Sequence, residues 1–138
     1  MRVLALDPGS VRIGVALSDE TRTIAQPIEF IPAEPFSDFL ERLKTLIHEK
    51  EVDLILVGIP RNMNGSYGPS AVKAQEFVTV LKEAVSVPIK TWDERLTTVQ
   101  ANRFLIEAGT RRDKRKKKVD QTAAAILLQS FLDSIVHE

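Results

Sequence analysis

Val3-Leu4-Ala5-Leu6 is an apolar run that stops at Asp7-Pro8-Gly9-Ser10. An uninterrupted apolar run followed by a Pro-Gly pair predicts a buried strand and a tight turn. A second strand is predicted over residues 13–18, and a hairpin-like return leads into a third over residues 23–31. Pro27 either weakens the start of the third strand or places the strand at an edge of the sheet, because proline cannot donate a hydrogen bond to a neighbouring strand.

Helices and strands alternate along the rest of the chain. The hydrophobic patterns predict helices over residues 36–50 and 70–84, strands over 53–58 and 87–92, and a last helix over 119–136. A capping box at Thr97–Gln100 opens one further helix, which ends at Ala108-Gly109. This order predicts an α/β fold with a five-stranded mixed β-sheet flanked by α-helices, in which the first three strands are antiparallel and strands one, four and five are parallel.

The composition is that of an ordinary globular protein, with 138 residues of which 43% are hydrophobic and 28% are charged. This length suits a single domain over residues 1–138. Cysteine is absent, which excludes disulfides and thiolate metal sites and fits a reducing compartment. Since no apolar run approaches the ~18 residues of a membrane span and the N-terminus does not have the pattern of a signal peptide, we expect a cytoplasmic protein without a membrane partner.

A strongly basic segment at residues 111–118 is hidden by the zero net charge of the whole chain. It contains seven of the 19 basic residues and one of the 19 acidic ones, which leaves 12 basic against 18 acidic residues elsewhere. Such asymmetry indicates a polyanionic partner, and we expect nucleic acid; a solvated segment without a specific partner is the alternative. Because no aromatic residues interleave with the charges, contacts to phosphates are expected in place of base stacking. The candidate phosphate-binding residues are Arg111, Arg112, Lys114, Arg115, Lys116, Lys117 and Lys118.

Two carboxylates follow predicted strands directly. Asp7 ends the first strand, and Glu94, with Asp93 before it, ends the last one. The carboxyl ends of parallel strands line the crevice in which α/β proteins bind ligands, so these side chains are expected at that crevice. An Asp before Pro-Gly is also an ordinary turn residue, which is the structural alternative for Asp7.

A third carboxylate, Asp120, falls near the start of the last predicted helix. On a regular helix Asp120 shares one stripe with Ala124, Leu127 and Phe131, and that stripe should face the sheet. A buried carboxylate there needs a compensating positive charge. The structural alternative is an N-terminal cap of that helix.

Three acids at one end of a sheet repel one another, and a hard divalent cation removes that repulsion. Carboxylate oxygens favour Mg²⁺ or Mn²⁺, whereas His48 and His137 stand at positions that suit surface residues better than ligands. Two ions about 3.5–4 Å apart, bridged by one Asp, promote in-line displacement at phosphorus. Asp7 is the expected bridge, and the other two acids each complete one site. The sequence therefore predicts a metal-dependent phosphodiester hydrolase of the two-metal type.

The loop over residues 60–69 follows the central parallel strand and is expected at the same crevice. Its polar side chains can bind phosphate or sugar, although an ordinary strand-to-helix connection explains them equally well. Arg61, Asn62 and Asn64 are the candidates in this loop, and Arg95 beside Glu94 is a further one.

Four stretches of the chain resemble the YqgF (RuvX) family: residues 7–16, residues 57–60 with 62–65, residues 92–98, and residues 120–124. The resemblance covers nearly the whole chain and implies an RNase H-like fold. Members are described as Holliday junction resolvases or as nucleases that mature the 5′ end of pre-16S rRNA in the bacterial cytoplasm. The acidic positions of the family fall on Asp7, Glu94 and Asp120, with Asp93 as the alternative to its neighbour. Pro8-Gly9 departs from the Gly-Thr pair that many relatives have there.

The leading hypothesis is therefore an endonuclease that processes the 5′ end of pre-16S rRNA, with a Holliday junction resolvase as its alternative. A non-catalytic RNA-binding module is the second alternative. The D-x-G-x-x-x-x-G pattern from Asp7 to Gly14 also occurs in actin-like phosphotransferases, but those enzymes enclose ATP between two such domains. Recognition of RNA over DNA stays open, and the expected oligomeric state is a monomer or a weak homodimer.

Overall fold

The computed structural model describes residues 2–9, 11–60, 68–93 and 122–136. Within them no helix is at once long enough and apolar enough to cross a membrane. The predicted helix over 97–109 lies outside these residues. The elements in chain order are β1 (Arg2–Asp7), β2 (Arg12–Ser18), β3 (Ala25–Pro32), α1 (Phe36–Glu49), β4 (Val52–Ile59), α2 (Pro69–Ala84), β5 (Ile89–Asp93) and α3 (Ala123–Val136).

The described strands form one five-stranded sheet in the order β3-β2-β1-β4-β5. β2 pairs antiparallel with both β1 and β3, whereas β4 pairs parallel with both β1 and β5. The predicted mixed sheet is confirmed. Pro27 lies in β3, an edge strand, which is one of the two predictions made for it. Because β1, β4 and β5 run in the same direction, their carboxyl ends lie at the same end of the sheet. The last residues of these strands are Asp7, Ile59 and Asp93.

Alternate residues of β1 are buried on opposite faces of the sheet. Val3 and Ala5 pack against α3, whereas Leu4 and Leu6 pack in the cluster that includes α1 and α2. We call these two sides the α3 face and the α1/α2 face. The helices contribute Phe39, Leu43 and Leu46 from α1, Ala71, Ala74, Val78 and Leu81 from α2, and Ala124, Leu127, Leu128, Phe131 and Leu132 from α3.

The edge strand β3 is anchored from both faces of the sheet. On the α1/α2 face, Arg42 donates two hydrogen bonds to the carboxylate of Glu29, at 2.9 and 2.7 Å, and this pairing lowers the pKa of Glu29. On the α3 face, the side-chain amide of Gln129 accepts from the N–H of Ala25 at 2.9 Å and donates to the carbonyl of Thr23 at 3.0 Å. These contacts hold β3 in its register beside β2, next to the strands on which the candidate site is built.

Candidate active site

Asp7 is the last residue of β1, the central strand of the sheet, and its side chain is half-buried. It has the same parity along the strand as Val3 and Ala5, so its side chain belongs to the α3 face. Its cross-strand partner in β2 is Gly14. The predicted position of Asp7, at the carboxyl end of a buried strand, is the observed one.

Gly14 separates Asp7 from the first turn of α3. A Cβ built at Gly14 would lie 3.7 Å from the Cβ of Asp7 and 3.6 Å from the Cβ of Ala124. Ala124 is completely buried, so the start of α3 is packed against this part of the sheet. The first turn of a helix exposes unpaired backbone N–H groups and carries partial positive charge, which favours carboxylates nearby.

The turn after Asp7 depends on a glycine. A Cβ built at Gly9 would collide with the carbonyl oxygen of Arg12. The backbone of Arg12 therefore fills the space that a side chain at residue 9 would need, so glycine fits this position. The departure from the family's pair at this position leaves the Asp7 carboxylate at the end of its strand.

Thr122 caps α3. Its hydroxyl accepts a hydrogen bond from the N–H of Ala125 at 3.2 Å, and its carbonyl accepts the first helical bond from Ile126, also at 3.2 Å. These are the two contacts of an N-cap residue. The predicted start of the last helix at residue 119 is therefore wrong, since α3 begins at Ala123.

This helix start changes the argument for Asp120. The stripe of Ala124, Leu127 and Phe131 is buried as predicted, but it lies on a helix that begins after Asp120. The described helix therefore gives no support to the periodicity argument for Asp120, and Thr122 supplies the cap of α3. Asp120 itself is outside the described residues.

Replacing Thr122 with alanine should lower the free energy of unfolding by about 1 kcal/mol, because the N–H of Ala125 loses its acceptor. Urea denaturation measures the change. The matched control is Thr79→Ala, whose hydroxyl donates to the carbonyl of Gln75 inside α2. Alanine is a better helix former than threonine, so the control should lose no stability. Equal losses in the two variants would contradict the assignment of the cap.

Asp93 lies at the same end of the sheet as Asp7, but its side chain belongs to the α1/α2 face. It ends β5 and pairs with Ile59 of β4. Its parity is that of Ile89, which packs in the α1/α2 cluster, whereas Trp92 packs in the α3 cluster. Strand alternation thus separates the side chains of Asp7 and Asp93 across the sheet.

The end of β5 is packed against α3 through Trp92. The indole N–H donates to the hydroxyl of Ser130 at 3.1 Å, and the ring meets Phe131 edge-on with 5.4 Å between centroids. Lys90, two residues earlier on the same face, places its ammonium 5.2 Å from the centroid of Phe131. The strand that leads to residue 94 and the helix that follows residue 120 are therefore in contact.

Two side chains on the same face of the sheet as Asp7 have no counterpart among the predicted site residues. The guanidinium carbon of Arg12 lies 4.0 Å from the centroid of the Phe30 ring. Phe30 pairs across the sheet with Gly14, and one edge of its ring lies 3.4 Å from the position of a Cβ at Gly14. The signal for this pair is the cross-strand row Asp7, Gly14, Phe30, which becomes visible only when the strand register is known.

The remaining predicted site residues lie outside the described part of the chain, so their roles stay predictions. Among the residues that the structure describes, no three His, Cys, Asp or Glu side chains are close enough to hold a metal ion together. His48 is exposed near the end of α1, as predicted for a surface residue. The undescribed candidates are Glu94, Asp120, Arg61, Asn62, Asn64, Arg95, Arg111, Arg112, Lys114, Arg115, Lys116, Lys117 and Lys118.

Comparison with known proteins finds close relatives of nearly the same length. A protein named "Putative pre-16S rRNA nuclease" from Thermoanaerobacter pseudethanolicus is 51% identical over 135 residues, which are 97% of each chain. A protein of the same name from Desulforamulus reducens is 48% identical over 134 residues, 97% of this chain and 98% of the relative.

Solved structures share the fold at low sequence identity. RuvC of Thermus thermophilus, in complex with a Holliday junction substrate, matches with a TM-score of 0.59 and 15% identity, over 99% of this chain and 96% of that one. The Holliday junction resolvase of fowlpox virus matches with a TM-score of 0.53 and 14% identity, over 97% and 99%. These matches confirm the RNase H-like α/β fold.

The family model described as "RuvX: Holliday junction resolvase" matches residues 1–134. With relatives that are about half identical over almost the entire length, this match confirms the resemblance found in the sequence. The chain belongs to the RuvX family.

Proposed function

We propose that this protein is a metal-dependent endonuclease that cuts the 5′ end of pre-16S rRNA. The observation that carries the proposal is the position of Asp7, which ends the central strand on the α3 face beside the first turn of α3. The relatives named for a pre-16S rRNA nuclease support the substrate. The proposed nuclease domain spans residues 1–138, and the proposed compartment is the bacterial cytoplasm.

We infer that Asp7, Glu94 and Asp120 form one carboxylate cluster. Continued alternation along β5 would turn Glu94 to the α3 face, and this favours it over Asp93 as the partner of Asp7. Asp120 precedes the cap Thr122 by two residues, so their Cα atoms can be at most about 7 Å apart. Both arguments lead toward the surface between β1 and the start of α3.

The donor set of this cluster fits Mg²⁺ or Mn²⁺, because all three side chains offer carboxylate oxygens. When bound, two such ions would activate the attacking water and stabilise the leaving 3′ oxygen. Asp7 would bridge the two sites, and Glu94 and Asp120 would each complete one. The basic segment 111–118 immediately precedes Asp120 in the chain, and its cations would neutralise phosphates next to the bond that is cut.

The decisive experiment offers two substrates in one tube. A pre-16S rRNA leader and a four-way DNA junction are mixed with the protein and Mg²⁺ or Mn²⁺, and the cleavage sites on both are mapped. We expect cleavage of the RNA near the mature 5′ end. Cleavage of the junction alone would overturn the RNA assignment in favour of a Holliday junction resolvase, which is the description of the matching family model. Tight binding without cleavage of either substrate would indicate an RNA-binding module.

Oligomeric state separates the two catalytic candidates further. Resolution of a junction needs two cuts and therefore two active sites related by a two-fold axis, whereas trimming an RNA end needs one. We propose a monomer or a weak homodimer, which sedimentation at several protein concentrations measures. A tight dimer that persists on dilution would favour the junction as substrate.

Replacing Lys116, Lys117 and Lys118 with alanine should weaken nucleic-acid binding and flatten its dependence on salt. If each lysine neutralises one phosphate, the slope of log K against log salt should fall by roughly 0.7–0.9 per lysine. Fluorescence anisotropy at several salt concentrations measures the slope. The matched control changes three exposed lysines of α1 and α2, Lys44, Lys73 and Lys82. Equal slopes for the wild type and the 116–118 variant would contradict a role of these lysines in binding.

A further inference from the structure

We propose that Arg12 and Phe30 form a stacking platform for one unpaired base of the substrate, next to the phosphate that is cut. The inference deepens the proposed nuclease function and rests on it. It assigns base contact to a part of the protein distinct from the basic segment, whose composition predicts contacts to phosphates alone. The term Arg12–Phe30 platform denotes these two side chains.

The platform borders Asp7 on the same face of the sheet. Gly14 is the cross-strand partner of both Asp7 in β1 and Phe30 in β3. A Cβ at Gly14 would meet the ring edge of Phe30 at 3.4 Å and the Cβ of Asp7 at 3.7 Å. The Phe30 ring and the Cβ of Asp7 thus flank one backbone position that has no side chain. The buried Ala124 covers Gly14 itself, so a base stacked on the platform would lie on the outer side of Phe30, with its neighbouring phosphate toward the end of β1.

Phe30 is available for a ligand because the core does not use it. Its side chain is 45% exposed, and it belongs to neither of the two described core clusters. Trp92, the aromatic residue of β5 on the same face, is instead used by the core. Its ring packs on Phe131, and its indole N–H donates to Ser130. An exposed ring held in position by a well-anchored strand is the arrangement expected of a binding surface.

Arg12 makes the platform suitable for nucleic acid. Its guanidinium lies over the Phe30 ring, with 4.0 Å between the guanidinium carbon and the ring centroid, and the side chain is exposed. A flat cation over an aromatic ring supplies a charged face, on which bases stack, together with N–H groups at its edge. Positive charge also complements the phosphate on either side of the stacked base. An apolar protein partner would gain nothing from this charge.

The platform should select unpaired nucleotides. Every base has a π-face, so stacking tolerates all sequences, but a base inside a duplex already has both faces covered. A substrate whose cut site lies in a single-stranded segment should therefore bind more tightly than a fully paired one. RNA and DNA single strands share this chemistry and are two arms of the same test.

The test measures binding of fluorescent single-stranded RNA and DNA oligonucleotides, and of the corresponding duplexes, with EDTA present so that no cleavage occurs. Phe30→Leu keeps an apolar side chain without a ring, and we expect it to weaken single-strand binding roughly 5- to 100-fold. Phe30→Tyr should bind as the wild type does. Arg12→Lys keeps the charge without the flat guanidinium and should also weaken single-strand binding. The matched control is Val72→Ala, at an equally exposed apolar residue of α2.

Full single-strand affinity in both Phe30→Leu and Arg12→Lys would overturn the platform. A second measurement needs no variant: 2-aminopurine is placed at successive positions around the cut site, and its fluorescence should be quenched at one of them when the wild type binds. Unchanged fluorescence at every position would also overturn it. If the wild type neither binds nor cuts any of the substrates, the nuclease proposal itself fails. If the Phe30→Leu protein binds and cuts as the wild type does, only the platform fails.

Discussion

The Asp7→Asn variant is expected to lose metal-dependent cleavage by more than about 100-fold and to keep its fold. Outer-shell partners of metal ligands already account for 10- to 100-fold effects, so loss of a bridging carboxylate should exceed them. The asparagine side chain would occupy the same volume at the end of β1, and this half-buried position would lose a charge that the proposed neighbours Glu94 and Asp120 would repel. Cleavage is measured with the pre-16S rRNA leader and Mg²⁺, and folding by thermal denaturation.

Asp38→Asn is the matched control for Asp7→Asn. Asp38 is an exposed aspartate in the first turn of α1, on the opposite face of the sheet. Its change should leave cleavage at the wild-type rate, although the helix loses a favourable charge at its N-terminus. If the Asp7→Asn protein still cleaved the RNA, Asp7 would not be the central residue of the site, and the proposed metal-dependent mechanism would be wrong.

The Asp120→Asn variant is expected to lose cleavage to a similar extent, while its melting temperature stays equal to or slightly above that of the wild type. The cap of α3 is Thr122, so the change at Asp120 removes no hydrogen bond of that cap. It does remove one of three carboxylates proposed to repel one another in the absence of a cation. Metal binding by calorimetry should fall together with cleavage.

Thr122→Ala provides the comparison that separates the two roles. This variant should lose stability and keep the metal-binding carboxylates, whereas Asp120→Asn should do the reverse. A marked drop in melting temperature for Asp120→Asn, with cleavage retained in proportion to the folded fraction, would mean that Asp120 is structural and that the cluster of three acids does not exist.

The fold was predictable from sequence because its central strands are long apolar runs. Residues 3–6 and 53–58 contain enough consecutive apolar side chains to be buried on both faces, and β1 and β4 extend each run by one residue at either end. The last helix shows the limit of the same method. Its buried stripe was predictable from periodicity, but periodicity does not mark a first residue, and the cap at Thr122 depends on a hydrogen bond that the pattern does not contain.

The faces of the site residues were harder to predict than their places at the strand ends. In β5 the apolar residues Ile89 and Trp92 are three positions apart, so they lie on opposite faces, and the sequence does not reveal which face Asp93 shares. In β3, Ile28 and Ile31 both pack on the α1/α2 face despite their odd spacing, because the pairing with β2 shifts register after Val15. Phe30, which pairs with Gly14, therefore lies on the α3 face although Ile28, two residues earlier, lies on the other face.

The contact between β5 and α3 gives the protein a spectroscopic reporter of its own. Trp92 is the only tryptophan in the chain, and it lies where the strand leading to Glu94 meets the helix that follows Asp120. Fluorescence excited selectively at the indole therefore comes from Trp92 alone and reports on this contact between β5 and α3. A titration with divalent cations or oligonucleotide can be followed by that signal without attaching a dye or changing a residue.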